Sequence, residues 1–188
     1  MTLYLDRSGS GYFLVFLNRY SSINVDGVQV MKNILVLCTG NSCRSVIGEA
    51  LVNHLGGTRF TGYSAGSQPT GQVNSGALSV LQQHGVDTSG LSSKGLEVFT
   101  ETPIDLVITV CDNAAAEACP IFPGNTLKVH WGLPDPAGAT GDQETISAAF
   151  EMTFQQLEQR ISALIALPDD LSDSEWLGAL AQIHEHSI

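Results

Sequence analysis

The hydrophobic positions of this 188-residue chain change repeatedly from continuous apolar runs to apolar residues at helical spacing. A run of strand type spans residues 33–38 and is followed by Ile47, Ala50, Leu51 and Leu55, which lie three and four positions apart. Such a run is typical of a buried strand, whereas the second spacing predicts a helix with one apolar face. The same criteria predict further strands at 59–65, 105–111 and 127–131, and helices from 74 or 75 to Gly85 and from 145 to 167.

This order of elements predicts the fold class. Strands that are apolar throughout and separated by helices are typical of a parallel sheet that is covered on both faces. We therefore predict a three-layer α/β/α domain with a four-stranded parallel sheet. In such sheets ligands bind beyond the carboxyl ends of the strands, which is where Cys38, Cys111 and the loop after Trp131 fall.

Both ends of the chain are predicted to lie outside the central domain, which we assign to residues 31–168. Met31 and the two residues after it resemble an ordinary protein start, so we interpret residues 1–30 as an N-terminal extension, either without a role in the fold or as a surface strand. The extension lacks the cleavage pattern of a signal peptide. Ser172 and Glu175 have the spacing of a capping box, which predicts a helix within 169–188 that packs on the domain.

Composition and charge limit the classes of partner. The chain is 43% hydrophobic, which is enough for one substantial core. It contains no run of about 18 apolar residues, so the sequence predicts no membrane-spanning helix. A formal charge of -11 argues against nucleic acid and anionic lipid, which select basic surfaces. Any anion must therefore be held by local geometry. We expect a monomer in the cytoplasm.

The four cysteines, Cys38, Cys43, Cys111 and Cys119, are too few for the disulfide scaffold of a small secreted protein. We expect free thiols that are reactive or buried. A zinc site is the alternative, but the pairs lack the tight spacing of common zinc motifs. The histidines show no metal-binding or triad spacing and stay unassigned: His54, His84, His130, His184 and His186.

The loop between the first strand and the first helix carries the candidate chemistry. Gly40 and Asn41 can adopt the positive φ angles that a tight anion-binding loop requires. The backbone N–H groups of such a loop point inward, and the following helix presents its positive end to the same point. Arg44 can bind two oxygens of an oxyanion, and Ser45 can donate to the thiolate of Cys38, which helix N-termini and cations favour. The loop residues in question are Cys38, Thr39, Gly40, Asn41, Ser42, Cys43, Arg44 and Ser45, and the alternative is a simple turn with a buried cysteine.

Four strings together resemble a known superfamily: CTGNSCRS at 38–45, YSAGS at 63–67, ITVCD at 108–112, and Asp135 followed by proline. They are similar to the low-molecular-weight tyrosine phosphatases, and most of all to their arsenate reductase branch, over about residues 32–167. The resemblance implies that Cys38 attacks the oxyanion, Arg44 binds it and Asp135 protonates the leaving oxygen. A carboxyl group that acts as an acid at neutral pH must be stabilised in its protonated form, and burial near the loop could provide this. Asp135 as an ordinary turn residue is the alternative.

The arsenate reductase branch implies a relay of thiols. Cys38 would attack arsenate, Cys111 would attack Cys38 as arsenite leaves, and Cys119 would attack Cys111; thioredoxin or glutaredoxin would restore the thiols. Thioredoxin-coupled members place six residues between the last two cysteines, whereas this chain places seven in an alanine-rich stretch that favours a helix. A glutathione-assisted route without Cys119 therefore stays open, as does an interpretation of both cysteines as buried small residues.

Other functions are also compatible with the sequence. A phosphatase of the same family shares the loop, but its usual aromatic residues are missing after Asp135, so we expect only residual phosphatase activity. An idle oxyanion-binding or redox-sensing module is a third interpretation. We expect no tightly bound cofactor, although some reductases of this branch bind potassium. Asn41 and Glu49 match that site and Ser64 and Asp87 complete it, unless Glu49 is a solvated helix residue.

Overall fold

The computed structural model describes residues 31–111 and 125–185. Its strands are β1 (Lys32–Cys38), β2 (Phe60–Gly66), β3 (Leu106–Thr109) and β4 (Leu127–His130). They pair in the order β2-β1-β3-β4, and every pairing is parallel. The predicted α/β fold with a four-stranded parallel sheet is therefore confirmed, although β3 and β4 are shorter than the apolar runs that predicted them.

Four α-helices and two short 3-10 helices are described. The α-helices are α1 (Arg44–Leu55), α2 (Ser75–Gln83), α3 (Gln143–Ile165) and α4 (Asp173–Glu185). The 3-10 helices span Leu96–Phe99 and Pro136–Gly138. No helix in the described ranges has both the length and the apolar character that crossing a bilayer requires.

Residues of β1 alternate between two packed faces of the sheet. Ile34 and Val36 belong to a large cluster shared with the α-helices, whereas Leu35 and Leu37 pack in a smaller cluster with Phe99. Alternation of this kind follows from the two-residue period of a strand. Both faces are apolar because both are covered, which explains why β1 has no polar side in its sequence.

The last helix packs on the outer strand of the sheet. Ser172 and Glu175 cap its start reciprocally: Ser172 N donates to Glu175 Oε2 at 2.8 Å, and Glu175 N donates to Ser172 Oγ at 3.4 Å. Trp131 Nε1 donates to the Leu180 carbonyl at 3.1 Å, so the residue directly after β4 is attached to α4. Residues 1–30 lie outside the described part of the chain.

The strand order positions the site. The chain runs from β1 outward to β2 and then returns to the other side of β1 for β3 and β4. Ligands of open α/β sheets bind where the direction of winding reverses, beyond the carboxyl ends of the strands. Cys38 ends β1, and Cys111 lies two residues beyond β3, so both thiols are at this reversal point.

Candidate active site

The loop from β1 to α1 forms a tight turn over the start of the helix. Asn41 has a φ angle of 43°, which is in the left-handed region that asparagine tolerates better than most residues. Gly40 and Asn41 were both able to supply a positive φ angle, and Asn41 supplies it: it is the only non-glycine residue of the described ranges with one, and Gly40 is not among the positive-φ glycines. The loop leads directly into the N-terminus of α1, where the unpaired N–H groups of the first helical turn favour an anion.

Two donors converge on the sulfur of Cys38. The side chain is buried, with 4% of its surface exposed. Its Sγ accepts a hydrogen bond from Asn41 N at 3.1 Å and lies 2.9 Å from Ser45 Oγ. Asn41 Nδ2 donates to the same Ser45 oxygen at 2.9 Å, so the Ser45 proton is available for the sulfur. Both contacts stabilise a thiolate, and Ser45 takes the place that the sequence predicted.

Asn41 is the centre of a buried polar chain. Besides Ser45, its Nδ2 donates to Ser64 Oγ at 2.8 Å, and Ser64 Oγ in turn donates to Glu49. Glu49 is 9% exposed, so it is a buried helix residue and the solvated interpretation is wrong. Asp87 is not part of this chain of contacts: its exposed carboxylate accepts from Ser89 N and Ser89 Oγ.

Arg44 connects the loop to the segment after β4. Its Nη1 donates to the Leu133 carbonyl at 2.9 Å, and its Nη2 lies 3.3 Å from Asp135 Oδ2. Burial near the loop was one way to give Asp135 the environment of a general acid, but 52% of its side chain is exposed. It directly precedes the short helix Pro136–Gly138, and its carboxylate accepts from Ala137 N. The carboxylate is thus ion-paired and half in solvent.

The second thiol lies at the same edge of the sheet. Val110 N donates to the Leu37 carbonyl at 2.9 Å, which continues the pairing of β1 and β3 up to the residue before Cys111. Cys111 is a free, buried thiol whose Sγ lies 3.4 Å from Thr39 Oγ1. Cys38, Cys111 and Arg44 line one cavity of about 520 Å³. Cys119 lies outside the described residues.

A larger cavity of about 600 Å³ lies at the opposite end of the sheet, where the strands begin. Carboxylates dominate its lining, among them Asp105, Asp169 and Asp173, with Lys32 as its cation. Acidic walls repel an oxyanion, so size alone does not identify the site. The smaller cavity is the candidate because the thiols, the helix N-terminus and Arg44 meet there.

Cys43 is a third buried thiol of the site. Burial raises its pKa to about 11, and the neighbouring charges of Asp135 and Cys38 act in the same direction. A thiol with this pKa is fully protonated at neutral pH and is a poor nucleophile. Cys43 is therefore a weaker candidate for the nucleophile.

Two contributors to the site were missed in the sequence. Gly66 ends β2 against the loop, where a Cβ atom would lie 2.5 Å from the Thr39 carbonyl oxygen. Lys94 donates its backbone N–H to Asn41 Oδ1 at 2.7 Å and its Nζ to Glu49 Oε2 at 3.0 Å. Gly66 belongs to the string YSAGS, which was an available signal, whereas nothing in the pattern around Lys94 pointed to it.

The described histidines lie apart from the candidate site. His84 stacks on Phe154 and its Nε2 lies 3.0 Å from Glu151, and His130 Nδ1 lies 2.9 Å from Thr109 Oγ1. Across residues 31–111 and 125–185, no three His, Cys, Asp or Glu side chains converge on a point that could hold a metal ion.

Comparison with known proteins agrees with this geometry. The family model described as low molecular weight phosphotyrosine protein phosphatase matches residues 33–174. An arsenate reductase of Halalkalibacterium halodurans is 38% identical over 130 residues, which cover 69% of this chain and 92% of that protein. An arsenate reductase of Bacillus subtilis is 35% identical over the same shares of both chains. A solved arsenate reductase in the phosphate binding state is 27% identical, covers 72% of this chain and 98% of its own, and has a TM-score of 0.57.

Proposed function

Because the chain belongs to the low molecular weight phosphotyrosine protein phosphatase family, and within it to the arsenate reductases, we propose that it reduces arsenate to arsenite with Cys38 as the nucleophile. The observation that carries the proposal is the presence of two free thiols, Cys38 and Cys111, in one cavity beside Arg44. Hydrolysis of a phosphate ester needs one thiol and water. Transfer of two electrons to arsenic needs a second thiol.

The reaction begins with capture of the oxyanion. The loop N–H groups and the N-terminus of α1 hold its charged oxygens, and Arg44 supplies a planar pair of donors. Asn41 N and Ser45 Oγ already contact Cys38 Sγ, so the sulfur is held at the bottom of the loop. The Cys38 thiolate attacks arsenic, forms a sulfur–arsenic bond and releases one oxygen as water after protonation.

The second step transfers the electrons. Cys111 attacks Cys38 Sγ as a thiolate, a disulfide forms, and the electron pair of the sulfur–arsenic bond stays on arsenic, which leaves as arsenite. Two thiols are thereby oxidised and arsenic(V) is reduced to arsenic(III). The parallel pairing of β1 with β3 supports this step, because it continues to Val110, the residue before Cys111, and so brings the two cysteines to neighbouring strand ends. A disulfide requires Cα atoms within about 7 Å.

The phosphatase alternative is less favoured. No aromatic side chain lines the cavity in the described part of the chain, and the residues beside Asp135 in its wall are Leu133 and Pro134. A ring-bearing substrate therefore lacks a stacking surface, whereas a bare tetrahedral anion needs none. Phosphate has the shape and charge of arsenate, so residual hydrolysis of small phosphate esters is part of the proposal.

The electron donor is a thiol system of a reducing compartment such as the cytoplasm. We propose that Cys119 takes the disulfide from Cys111 and that thioredoxin, or glutathione with glutaredoxin, restores the thiols. The two routes differ in their need for Cys119. Turnover with NADPH, thioredoxin and thioredoxin reductase should fail in Cys119→Ser, whereas turnover with glutathione, glutaredoxin and glutathione reductase should persist.

Substitution of the two thiols tests the proposed function. We expect Cys38→Ser to abolish both arsenate turnover and hydrolysis of para-nitrophenyl phosphate, because the nucleophile is lost. Cys111→Ser should abolish arsenate turnover but spare the phosphatase activity, which also shows that the variant is folded. Parallel loss of both activities in a folded Cys111→Ser protein would remove Cys111 from the relay, and arsenate turnover by this variant would do the same.

A further inference from the structure

Lys94 contacts the buried polar chain of the loop at two points. Its backbone N–H donates to Asn41 Oδ1 at 2.7 Å, and its Nζ lies 3.0 Å from Glu49 Oε2. The side chains of Lys94 and Glu49 are 20% and 12% exposed, so the pair is largely removed from water. Nζ also donates to the Ser92 carbonyl at 3.3 Å, and the Lys94 carbonyl accepts from Gly66 N at 2.9 Å.

The hydrogen bonds between Glu49 and Cys38 diverge from the side-chain amide of Asn41. A carboxylate is only an acceptor, so Ser64 must donate to Glu49 and use its oxygen as an acceptor. Asn41 Oδ1 is occupied by the Lys94 N–H, so its Nδ2 is the atom that donates to Ser64 and Ser45. Ser45 is thereby left with its proton for Cys38 Sγ, 2.9 Å away.

We infer that Lys94 is a positioning residue for the Cys38 thiolate, with its ammonium acting as a built-in cation beside Glu49. The inference goes beyond the proposed reaction, which it uses only in taking Cys38 as the nucleophile. The ammonium balances a buried carboxylate that would otherwise be uncompensated, and the backbone N–H of the same residue fixes the amide of Asn41. A free monovalent cation is then not needed at Glu49.

The position of the ammonium bears directly on potassium. Nζ takes up the Glu49 carboxylate oxygens and the Ser92 carbonyl oxygen, which are ligands of the kind that hard cations prefer. Removal of the Lys94 side chain leaves these oxygens beside an open volume. A potassium ion can occupy that volume in the variant, whereas the ammonium excludes it from the natural protein.

The test is the rate at which iodoacetamide alkylates Cys38 at pH 7, measured by peptide mass spectrometry. Lys94→Met keeps the length of the side chain without its charge, Lys94→Arg keeps the charge, and the exposed Lys128 provides the matched control Lys128→Ala. We expect alkylation to fall about 10-fold in Lys94→Met and to stay near the natural rate in Lys94→Arg and Lys128→Ala. The reason is that a positive charge at position 94 favours the ionised forms of Glu49 and Cys38.

Lys94→Ala tests whether potassium can replace the missing ammonium. In a sodium-free and potassium-free buffer its alkylation should be slow, and 100 mM potassium chloride should restore it, while tetramethylammonium chloride at the same concentration should not. The natural protein should respond equally to both salts. Equal rates in Lys94→Met and Lys94→Arg overturn the inference, as does potassium dependence of the natural protein. If Lys94→Ala fails to fold, the Met and Arg variants decide alone.

The readout separates this inference from the proposed function. Alkylation involves no arsenate and no electron donor, so it reports on Cys38 even if the substrate is another oxyanion. A natural rate in Lys94→Met would overturn the role of Lys94 and leave arsenate reduction untouched. Failure of arsenate turnover in the natural protein would overturn the proposed function and leave the role of Lys94 to be judged on alkylation.

Discussion

Substitution of Gly66 tests whether close contact between β2 and the loop holds the site in shape. A Cβ atom added at Gly66 would lie 2.5 Å from the Thr39 carbonyl oxygen and 2.9 Å from Asn41 N. Both are backbone atoms, so no side-chain rotation can relieve the contact. In Gly66→Ala the loop that carries Cys38 must therefore move away from the strand.

The size of the movement gives the expected effect. Ordinary van der Waals contact begins near 3.4 Å, so the Thr39 carbonyl must retreat by about 0.9 Å. Overpacking of this kind typically costs about 1–3 kcal/mol of stability, and a misplacement of about 1 Å at a reacting group costs about 100-fold in rate. We expect Tm to fall by about 2–4 °C for each kcal/mol in a chain of this size.

The assay compares Gly66→Ala with Gly178→Ala. A Cβ atom at Gly178 meets nothing within 4 Å and lies in the interior of α4, where alanine is favoured over glycine by about 0.5–1 kcal/mol. The control should keep its kcat/KM on para-nitrophenyl phosphate and gain a little in Tm, whereas Gly66→Ala should lose about 100-fold in kcat/KM. A Gly66→Ala protein within threefold of natural turnover would refute the reasoning about backbone contact.

Two further predictions concern charges in the site. Asp135→Asn should lower hydrolysis of para-nitrophenyl phosphate by about 100- to 10,000-fold through loss of the acid, yet strengthen inhibition by sulfate a few-fold, because the carboxylate no longer pairs with Arg44; unchanged hydrolysis would exclude the acid role. Cys43, whose pKa is raised to about 11, should have about one part in a thousand as thiolate at pH 8 and should resist iodoacetamide in intact protein; labelling of Cys43 as fast as Cys38 in peptide maps would contradict this.

The parts of the site that lie close together in the chain could be predicted from the sequence. β1, the loop and α1 form one continuous segment, so the pattern of the sequence was sufficient to predict a strand, a tight loop and a helix in this order. The capping box at Ser172 was equally local. Local hydrogen bonds and helix periodicity decide such elements before any tertiary contact is known.

The contacts between distant segments could not be predicted in this way. Lys94 meets Asn41 across 53 positions, and the contact depends on how the segment after α2 passes the end of β2. Position 66 has no room for a Cβ atom, because β2 pairs with β1 up to Cys38 and so lies against the loop. The exposure of Asp135 was not evident in the sequence, because it depends on the short helix that follows it. Each of these depends on strand register or loop path rather than on composition.

The pairing of Arg44 with Asp135 also bears on how an acidic protein would select the proposed oxyanion. A formal charge of -11 opposes the approach of any anion, so a weakly held ligand gains nothing from long-range attraction. In the free protein Arg44 already donates to the Leu133 carbonyl and pairs with Asp135. An anion must therefore bind Arg44 more strongly than the half-exposed carboxylate of Asp135 does. A tetrahedral dianion can meet the loop N–H groups and the guanidinium together, whereas a monovalent or planar anion satisfies only part of the set. Selectivity then comes from the number of donors that one ligand can satisfy at once.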